Sequence, residues 1–572
     1  MKVLLSDGGK TLWTVVCGAD LSETEKFAVK EFVGHFKEMS GISLRVKPDD
    51  SPCTPYEICI GMGRHAAMAG DIADVEFGLE DFALSVQSDR IVIVGNPCRG
   101  TLYGVYEFLE EDLGIRWYSP DCTHIPRRSR VEVEERTCVI RPALEYRETL
   151  CVHQGFGDPI WYVRNRLNRA MATPLFGGGV QWAGDKFCHT FHSFISPEEY
   201  YEEHPEYFAW REDKGCRVTG RRAQLCLTNP DVLDIVIGKT KQWLRDNPGA
   251  NIVSISQMDA TKPEDILYCQ CPSCKALDEY EGTQAGSILH FINAVADAIR
   301  DEFPYASVDT IAYAYTTTPP KHVKVRDNVI LRPCFNGPLL DEWYKVGKRL
   351  FIWDYVTNFR HYTLPFPNYD YIESHIRDLM THKVRGIFIQ STYDTRGTDF
   401  NELKCWLYAK LLWNPEKHIE DLIPEFMTAY FKTAAPPLMQ YIDLLRDRIR
   451  EAGKPPACFV NLPVFYIDND VLCKADALFD RAEKLACSEE ILARVRRMRL
   501  SVRFVELMYM DPADARRPAM VDAYFDDLAE LGVDRISERN ELVEAKEMVM
   551  NFTGLYELSE ALPGAGYSPD QI

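Results

Sequence analysis

The sequence has no long apolar run and no extended Lys/Arg-rich stripe. No stretch approaches the ~18 consecutive apolar residues of a membrane-spanning helix, and no apolar segment of secretory length follows the amino-terminal MKVLLSDGGK. The formal net charge is −21. Because binding to phosphate requires clustered cations, the composition argues against nucleic acid and against an anionic membrane as partners.

Recognised cofactor motifs and internal repeats are also missing. The segment GNPCRG around Arg99 and Gly100 lacks both a Walker lysine and the dinucleotide-binding glycine pattern, so we predict no cofactor. Eighteen cysteines occur without a secretory signal, which predicts reduced thiols and a cytoplasmic location. The sequence makes no prediction of oligomeric state.

Length and pattern predict three parts. A chain of 572 residues is too long for one ordinary core. Residues 1–137 alternate short strands with helices, which predicts a small α/β accessory domain. We predict that residues 138–415 form a central, catalytic domain. Residues 416–572 are almost entirely helical in pattern, which predicts a carboxy-terminal helical region.

The sequence pattern of residues 138–415 predicts an α/β fold, specifically a (β/α)8 TIM barrel. Short runs rich in Val, Ile and Phe alternate with helical segments, as expected of a parallel sheet buried on both faces. Eight repeats over this length fit the usual barrel size of about 250 residues. The eight candidate strands are ALEYRETL, FCHTFHSF, AQLCLTN, NIVSISQMD, VDTIAYAY, NVILRPCFN, LFIWDYV and VRGIFIQS.

Acidic residues follow three of these strands. Asp259, Asp354 and Asp394 lie at or just past the strand ends, and such residues line the active-site mouth of a barrel. Cleavage of a glycosidic bond needs an acid on the leaving oxygen and a second group that supports an oxocarbenium-like centre. The three aspartates are therefore the predicted catalytic residues. A helix cap or a turn is the alternative role for each, above all for Asp394.

Amide, aromatic and imidazole side chains near the same strand ends are predicted to bind sugar hydroxyls and faces. His189 and His192 would face opposite sides of an extended segment, so a two-histidine metal clamp is not expected. The predicted substrate-binding residues are His189, His192, Gln257, Tyr313, Tyr315, Trp353, Tyr355, Asn358, Gln390 and Tyr393.

Cys269, Cys271 and Cys274 form a CxCxxC cluster. A fourth thiolate or a histidine would complete a tetrahedral zinc site, and Cys226 and His290 are the candidates. Neither shows the paired spacing of a zinc ribbon. The sequence therefore favours packed, reduced thiols and predicts no metal.

Several motifs occur together in the order of a known family. HTFHSF, PEEYYEEHPEYFA, QLCLTNPDV, ISQMD, YCQCPSCKALDEYEG, FIWDYVTNFRHYTLPFPN and DFNELKCWLYAKLLWNP together resemble the bacterial family catalogued as a domain of unknown function, DUF4838. Some of its members are classified in glycoside hydrolase family 163. The segment RGTLYGVYEFLEEDLGIRWYSPD resembles the accessory domain that precedes the barrel in α-glucuronidases and bacterial hexosaminidases.

The resemblance implies a glycoside hydrolase acting on oligosaccharides, a retaining endo-β-N-acetylglucosaminidase in which the acetamido group of the substrate is the nucleophile. It implies Asp259 as one acidic group. Relatives often have F-E-Q-G at strand 8, where this chain has Ile389 in place of the glutamate. An α-glucuronidase-like hydrolase, with Arg332 or Arg360 binding the uronate, and a non-catalytic carbohydrate-binding protein remain alternatives.

Overall fold

The computed structural model describes residues 1–18, 20–68, 72, 74–150, 159–169, 173–260 and 267–552. They form two compact units. The first contains the described residues of 1–147 and 156–179, and the second contains those of 148–155 and 180–572. The predicted boundaries at 137/138 and 415/416 stay predictions.

The first unit is a mixed α/β unit, as its strand–helix pattern indicates. Its strands are β1 (Lys2–Asp7), β2 (Thr14–Cys17), β3 (Arg45–Pro48), β4 (Glu57–Ile60), β5 (Phe82–Val86), β6 (Arg90–Gly95), β7 (Arg116–Ser119), β8 (Cys122–His124), β9 (Arg130–Glu134) and β10 (Arg136–Ile140). Its helices are α1 (Glu23–Ser40), α2 (Gly100–Glu107) and α3 (Pro159–Arg164).

Six of these strands form one sheet in the order β10-β5-β6-β4-β2-β3. The pairs β2–β3, β2–β4 and β4–β6 are parallel, whereas β5 pairs antiparallel with β6 and β10. Helix α1 ends at Gly41, which caps it in the left-handed conformation, at φ 77°. A capping box between Ser22 and Glu25 fixes its start.

The second unit contains a second set of parallel strands and most of the helices. Its strands are β11 (Tyr146–Leu150), whose first two residues belong to the first unit, β12 (Trp210–Arg211), β13 (Cys216–Arg217), β14 (Ile252–Ser254), β15 (Ser307–Ala312), β16 (Val329–Pro333), β17 (Phe351–Tyr355) and β18 (Gly386–Gln390). Its helices are α4 (Phe191–Phe194), α5 (Pro197–Tyr200), α6 (Pro230–Asp246), α7 (Pro272–Glu281), α8 (Ala285–Ile299), α9 (Leu339–Val346), α10 (Tyr369–Thr381), α11 (Asn401–Trp413), α12 (Ile419–Phe431), α13 (Ala435–Ala452), α14 (Asn469–Leu485), α15 (Glu489–Tyr509), α16 (Arg517–Glu530) and α17 (Leu542–Met550).

Two three-stranded sheets, β14-β15-β16 and β11-β18-β17, carry the parallel strands. A parallel bridge between Leu331 and Leu350 connects them, and another joins Trp182 to Ile252. The strand order is therefore Trp182, β14, β15, β16, β17, β18, β11. Among the residues that the structure describes, no pairing connects β11 back to Trp182, so the α/β class is established and the closed barrel is not.

Six of the eight predicted strands are confirmed, and two are wrong. The segment FCHTFHSF contains helix α4, because the spacing of buried Phe191 and Phe194 fits one helical turn. The segment AQLCLTN makes only an isolated antiparallel bridge, Leu225 to Phe208. Both segments are apolar enough for a strand, but each lies in a connection that packs on the sheet.

The carboxy-terminal helices pack in sequence upon one another, from α12 to α17. Glu402 on α11 forms a buried ion pair with Arg497 on α15. This pair ties a helix beside the parallel strands to the carboxy-terminal helices. Within the described residues, no helix is both long and apolar enough to cross a bilayer.

Candidate active site

Asp259 and Tyr313 meet just past the carboxyl ends of β14 and β15. The Tyr313 hydroxyl donates to Asp259 Oδ1 at 3.0 Å, and the Asp259 side chain is exposed. Gln257 is fully buried beneath them. Its Nε2 donates to the Tyr313 carbonyl at 3.2 Å and to Thr316 Oγ1 at 2.8 Å. Gln257 thus positions the tyrosine and is not exposed to a sugar.

His189 stands beside this pair. Its Nδ1 lies 2.8 Å from the Gln257 carbonyl, and its ring lies 5.9 Å from the Tyr313 ring. The backbone of His189 has φ 53°, a left-handed conformation that is uncommon for residues other than glycine and concentrates at functional sites. Because Nδ1 donates to a carbonyl, Nε2 is left as an acceptor.

A second group of side chains lies at the carboxyl ends of β17 and β18. Trp353 Nε1 donates to Gln390 Oε1 at 2.7 Å. Gln390 Nε2 and the Tyr393 hydroxyl then both donate to Glu538 Oε1, each at 3.4 Å. Two predicted binding residues, Gln390 and Tyr393, therefore contact a carboxylate that the sequence did not single out, and Trp353 is linked to it through Gln390.

Glu538 lies in a loop between α16 and α17. This loop is fixed to the segment after β17, because the Glu538 N–H donates to the Phe359 carbonyl at 3.1 Å and the Tyr362 N–H donates to the Ile536 carbonyl at 2.8 Å. The local sequence DRISERNE is a charged loop without a motif. Only the folding of the carboxy-terminal helices brings it to the strand ends.

The electrostatics of Glu538 differ from those of an exposed glutamate. Burial raises the pKa of its carboxyl, and the negative charges of Asp394 and Asp259 raise it further. The charge of Arg539 and the Tyr393 hydroxyl oppose this shift without cancelling it. The raised pKa favours the protonated form of Glu538, which is the form that a general acid requires.

Asp394 lies next to Glu538 but is partly neutralised. Burial raises the pKa of the Asp394 carboxyl, while the Arg535 guanidinium, 3.5 Å away, lowers it. The charges of two predicted aspartates, Asp259 and Asp394, thus both act on Glu538. The third predicted aspartate is not among them.

Asp354 faces the helices. Along β17, Trp353 and Tyr355 point to one side of the sheet and Asp354 to the other. Asp354 Oδ2 forms a buried ion pair with His375 Nε2 on α10, at 3.0 Å, and Asn336 Nδ2 donates to its Oδ1 at 3.4 Å. The structure does not bring Asp354 together with Asp259.

The side chain of Ile389 points to the same side of the sheet as that of Asp354. It is paired with Asp354 in the register of β17 and β18 and is completely buried. Because paired residues of parallel strands point to the same side of the sheet, position 389 faces the helices. A glutamate there would not face the side of Trp353 and Gln390.

Two other predicted binding residues have structural partners. His192 Nε2 donates to the Ala223 carbonyl at 2.7 Å, and burial lowers the pKa of His192. Asn358 Nδ2 donates to the Val460 carbonyl at 2.8 Å. The side chains of His192 and Asn358 thus each bind a backbone carbonyl of another segment of the chain.

The remaining two tyrosines pack against other rings. Tyr315 lies 5.4 Å from the Tyr268 ring, and burial raises the pKa of its hydroxyl. Tyr355 makes edge-to-face contacts with Phe359 and Phe459. Tyr355 is on the same side of β17 as Trp353, so it bounds the region that contains Gln390.

Arg332 is fully buried and forms an ion pair with fully buried Asp309. Its guanidinium stacks 4.1 Å from the Phe187 ring centroid and 5.6 Å from that of Trp353. The arginine predicted for uronate binding is thus neutralised inside the sheet. Arg360 is half-buried, and the pKa of its guanidinium is lowered by burial and by the charge of Arg539.

These observations define a mixed α/β protein with a parallel sheet and with carboxylates and aromatic side chains at the carboxyl ends of its strands. The chain belongs to the family of a domain of unknown function, DUF4838, whose family model matches residues 117–443. The predicted family is thereby confirmed. No curated protein matches the chain.

One solved structure shows a similar fold at low sequence identity. A family GH115 4-O-methyl-α-glucuronidase with specificity for decorated arabinogalactans has a TM-score of 0.57 at 12% identity, over 92% of this chain and 76% of its own. Two further similarities are weaker. An exo-β-N-acetylglucosaminidase of family GH20 from Vibrio harveyi has a TM-score of 0.41 at 11% identity, over 75% and 74% of the two chains. A GH138 enzyme targeting pectin rhamnogalacturonan II has 0.40 at 12%, over 96% and 80%.

Proposed function

We propose that this protein is a glycoside hydrolase that acts on oligosaccharides, with Glu538 as the general acid and Asp259 as the second carboxylate. The observation that carries the proposal is the position of Glu538 at the end of β18, where its Oε1 accepts from Gln390 Nε2 and from the Tyr393 hydroxyl. The raised pKa of Glu538 and the charge of exposed Asp259 acting on it support the assignment. Two carboxyl groups whose environments differ in this way are the requirement for protonating a leaving oxygen while a charge is stabilised nearby. The similarity to a solved glycoside hydrolase fold is consistent with this class.

The favoured substrate is a β-N-acetylglucosaminide, hydrolysed with assistance from its own acetamido group. Glu538 would give its proton to the glycosidic oxygen as the bond from that oxygen to the anomeric carbon breaks. The leaving sugar would depart as an alcohol while the acetamido oxygen forms a bond to the anomeric carbon. Asp259 would accept the acetamido N–H, and the Tyr313 hydroxyl, which already donates to that carboxylate, would fix its orientation. Water would then open the ring formed with the acetamido group, and the Glu538 carboxylate would take a proton from that water.

A closed (β/α)8 barrel is part of this proposal. The order Trp182, β14, β15, β16, β17, β18, β11 supports it, because one further strand position would complete the barrel. Asp259, Tyr313 and Tyr393 follow the carboxyl ends of three of these strands, β14, β15 and β18. That edge is where barrel enzymes hold their active sites.

An α-glucuronidase-like activity is the second candidate. Arg535 is bound to Asp394, and the charge of exposed Arg539 acts on Glu538. Guanidinium groups next to the acids would suit a uronate carboxylate. A non-catalytic binding protein is less favoured, since the substitution at Ile389 concerns a position that faces the helices.

A panel of aryl glycosides tests these activities with the purified full-length chain. Hydrolysis of the β-N-acetylglucosaminide, lost in both Asp259→Asn and Glu538→Gln, would support the first. Turnover of uronides alone would support the second, and sugar binding without turnover of any substrate would contradict both. Asp301→Asn and Glu544→Gln, at exposed positions, are the matched controls and should keep full activity.

A further inference from the structure

Four cysteine thiols outside the candidate active site converge in the second unit. The Sγ atoms of Cys226, Cys269, Cys271 and Cys274 all lie within 4.8 Å of one another. Cys226 Sγ lies 3.7 Å from Cys271 Sγ and 4.0 Å from Cys274 Sγ. In a tetrahedral site with Zn–S bonds of ~2.3 Å, neighbouring sulfurs are about 3.8 Å apart. These separations match such a site and exceed the ~2.05 Å bond of a disulfide.

Two separate segments supply the thiols. Cys226 lies just before α6, whereas Cys269, Cys271 and Cys274 belong to the CQCPSC motif at the start of α7. Cys271 is the N-cap of α7, and Cys274 lies in its first turn. The positive end of a helix dipole stabilises thiolates at such positions.

Donors and apolar walls surround the sulfurs. The Trp210 N–H donates to Cys269 Sγ at 3.3 Å, and Arg217 Nη1 donates to the same sulfur at 3.7 Å. The Thr228 hydroxyl lies 3.2 Å from Cys274 Sγ. The remaining lining is apolar and buried, with Ala209, Val218 and Ala223 packed on the cysteines. Donors to sulfur and one neighbouring cation are the environment that a doubly negative zinc tetrathiolate requires.

We infer that Cys226, Cys269, Cys271 and Cys274 form a structural zinc site. Binding of Zn²⁺ would release the four thiol protons and leave a tetrathiolate with no coordination position for water or substrate, which is the pattern of structural zinc. His290 was the other candidate for a fourth ligand, but its Nε2 instead lies 2.8 Å from Glu281 Oε1. The sequence-based preference for packed thiols without metal is therefore replaced by this proposal.

The site would also anchor the segment that carries Asp259. Gln224, two residues before Cys226, brackets the backbone of Met258. Its Nε2 donates to the Met258 carbonyl at 3.1 Å, and its Oε1 accepts the Met258 N–H at 3.0 Å. Loss of zinc would loosen this connection next to the candidate carboxylate. This consequence for catalysis rests on the proposed function, whereas the zinc site itself does not.

Metal analysis of the full-length chain, purified under reducing conditions without chelators or affinity metals, tests the site directly. We expect one zinc per chain, released by titration with an organomercurial and detected with a metallochromic dye. Exchange for Co²⁺ should give the strong visible absorption and the thiolate charge-transfer bands of a tetrahedral tetrathiolate. Zinc far below one per chain, together with four freely titrating thiols and no such cobalt spectrum, would overturn the proposal. Stoichiometric iron in place of zinc would also overturn it.

Variants distinguish this site from other metal-binding positions. Cys271→Ser and Cys274→Ser should each lose the bound zinc or weaken its binding at least tenfold, whereas Cys473→Ser, at an exposed position on α14, should retain it. Should a ligand variant fail to fold, competition of the wild-type chain with a chelator of known affinity provides the same information. A wild-type chain that keeps its fold and its thermal unfolding midpoint after zinc removal would contradict the structural role.

Discussion

The hydroxyl of Tyr393 donates to Glu538 Oε1 at 3.4 Å, across 145 residues of sequence. Tyr393 lies just past β18, and Glu538 lies between α16 and α17. The contact places a carboxyl group from the carboxy-terminal helices at the end of the parallel sheet. The candidate active site is therefore built both from the strand ends and from the loop between α16 and α17.

Glu538→Gln should reduce hydrolysis by 10²–10⁴-fold, the usual contribution of a general acid. The loss should be largest for substrates whose leaving group is a poor one, because such a group depends most on protonation. Comparison of kcat/KM for a nitrophenyl glycoside and for a natural oligosaccharide measures this difference. An equal loss on both substrates would exclude the acid role, and Glu544→Gln is the control.

Activity should persist to higher pH than an ordinary glutamate would allow. The protonated form of Glu538 is the active one, and burial with the charges of Asp394 and Asp259 raises its pKa. Activity should therefore fall as the pH rises through this raised pKa. Arg539→Ala removes a cation that lowers the pKa of Glu538, so it should move the alkaline limb further upward. A downward shift in the pH–rate profile would contradict the assignment.

Tyr313→Phe removes the hydroxyl that donates to Asp259 at 3.0 Å. A hydrogen bond to a charged group contributes about 1.5–3 kcal/mol, so kcat/KM should fall about tenfold to a hundredfold. If the acetamido group is the nucleophile, successive fluorination of its methyl group should also slow the wild-type enzyme progressively. Tyr305→Phe, at an exposed position, is the control. A rate independent of fluorination would contradict substrate assistance.

Asp354 should matter for stability. Burial lowers the pKa of His375, but the charge of Asp354, the hydrogen bond to it and the charge of Asp378 together raise this pKa above its ordinary value. The pair therefore stabilises the fold fully below the ordinary histidine pKa of ~6.5 and less as the pH rises through the raised value. Asp354→Ala should cost about 3–5 kcal/mol of unfolding free energy at pH 6 and less at pH 9, by urea unfolding. Asp341→Ala, in an exposed pair with His382, is the control; a pH-independent loss would contradict the prediction.

Arg332→Met should destabilise the chain without changing its substrate preference. It would leave the Asp309 carboxylate buried without its cation, at a cost of about 3–5 kcal/mol. Replacing both residues by apolar ones should recover much of the loss. Arg326→Met, in an exposed pair with Asp297, should cost at most about 1 kcal/mol. A selective loss of uronide hydrolysis in Arg332→Met would place this arginine in the site after all.

The sequence determined the family, the α/β class and six strand segments. Most residues of those strands are buried, and the residues that follow them along the chain are visible in the sequence. Asp259, Tyr313, Trp353, Gln390 and Tyr393 could therefore be placed at strand ends. The two wrong strands, FCHTFHSF and AQLCLTN, have the composition of a strand but not its pairing, and pairing is a tertiary property.

Tertiary structure alone decided which acids meet. Asp354 and Trp353 are neighbours in sequence, yet alternation along β17 turns the aspartate to the helices. Glu538 comes from a charged loop whose composition resembles that of many solvated loops, and only helix packing brings it next to the strand ends. Local sequence sets the direction of a side chain along its own strand, whereas long-range packing determines which distant charges become neighbours.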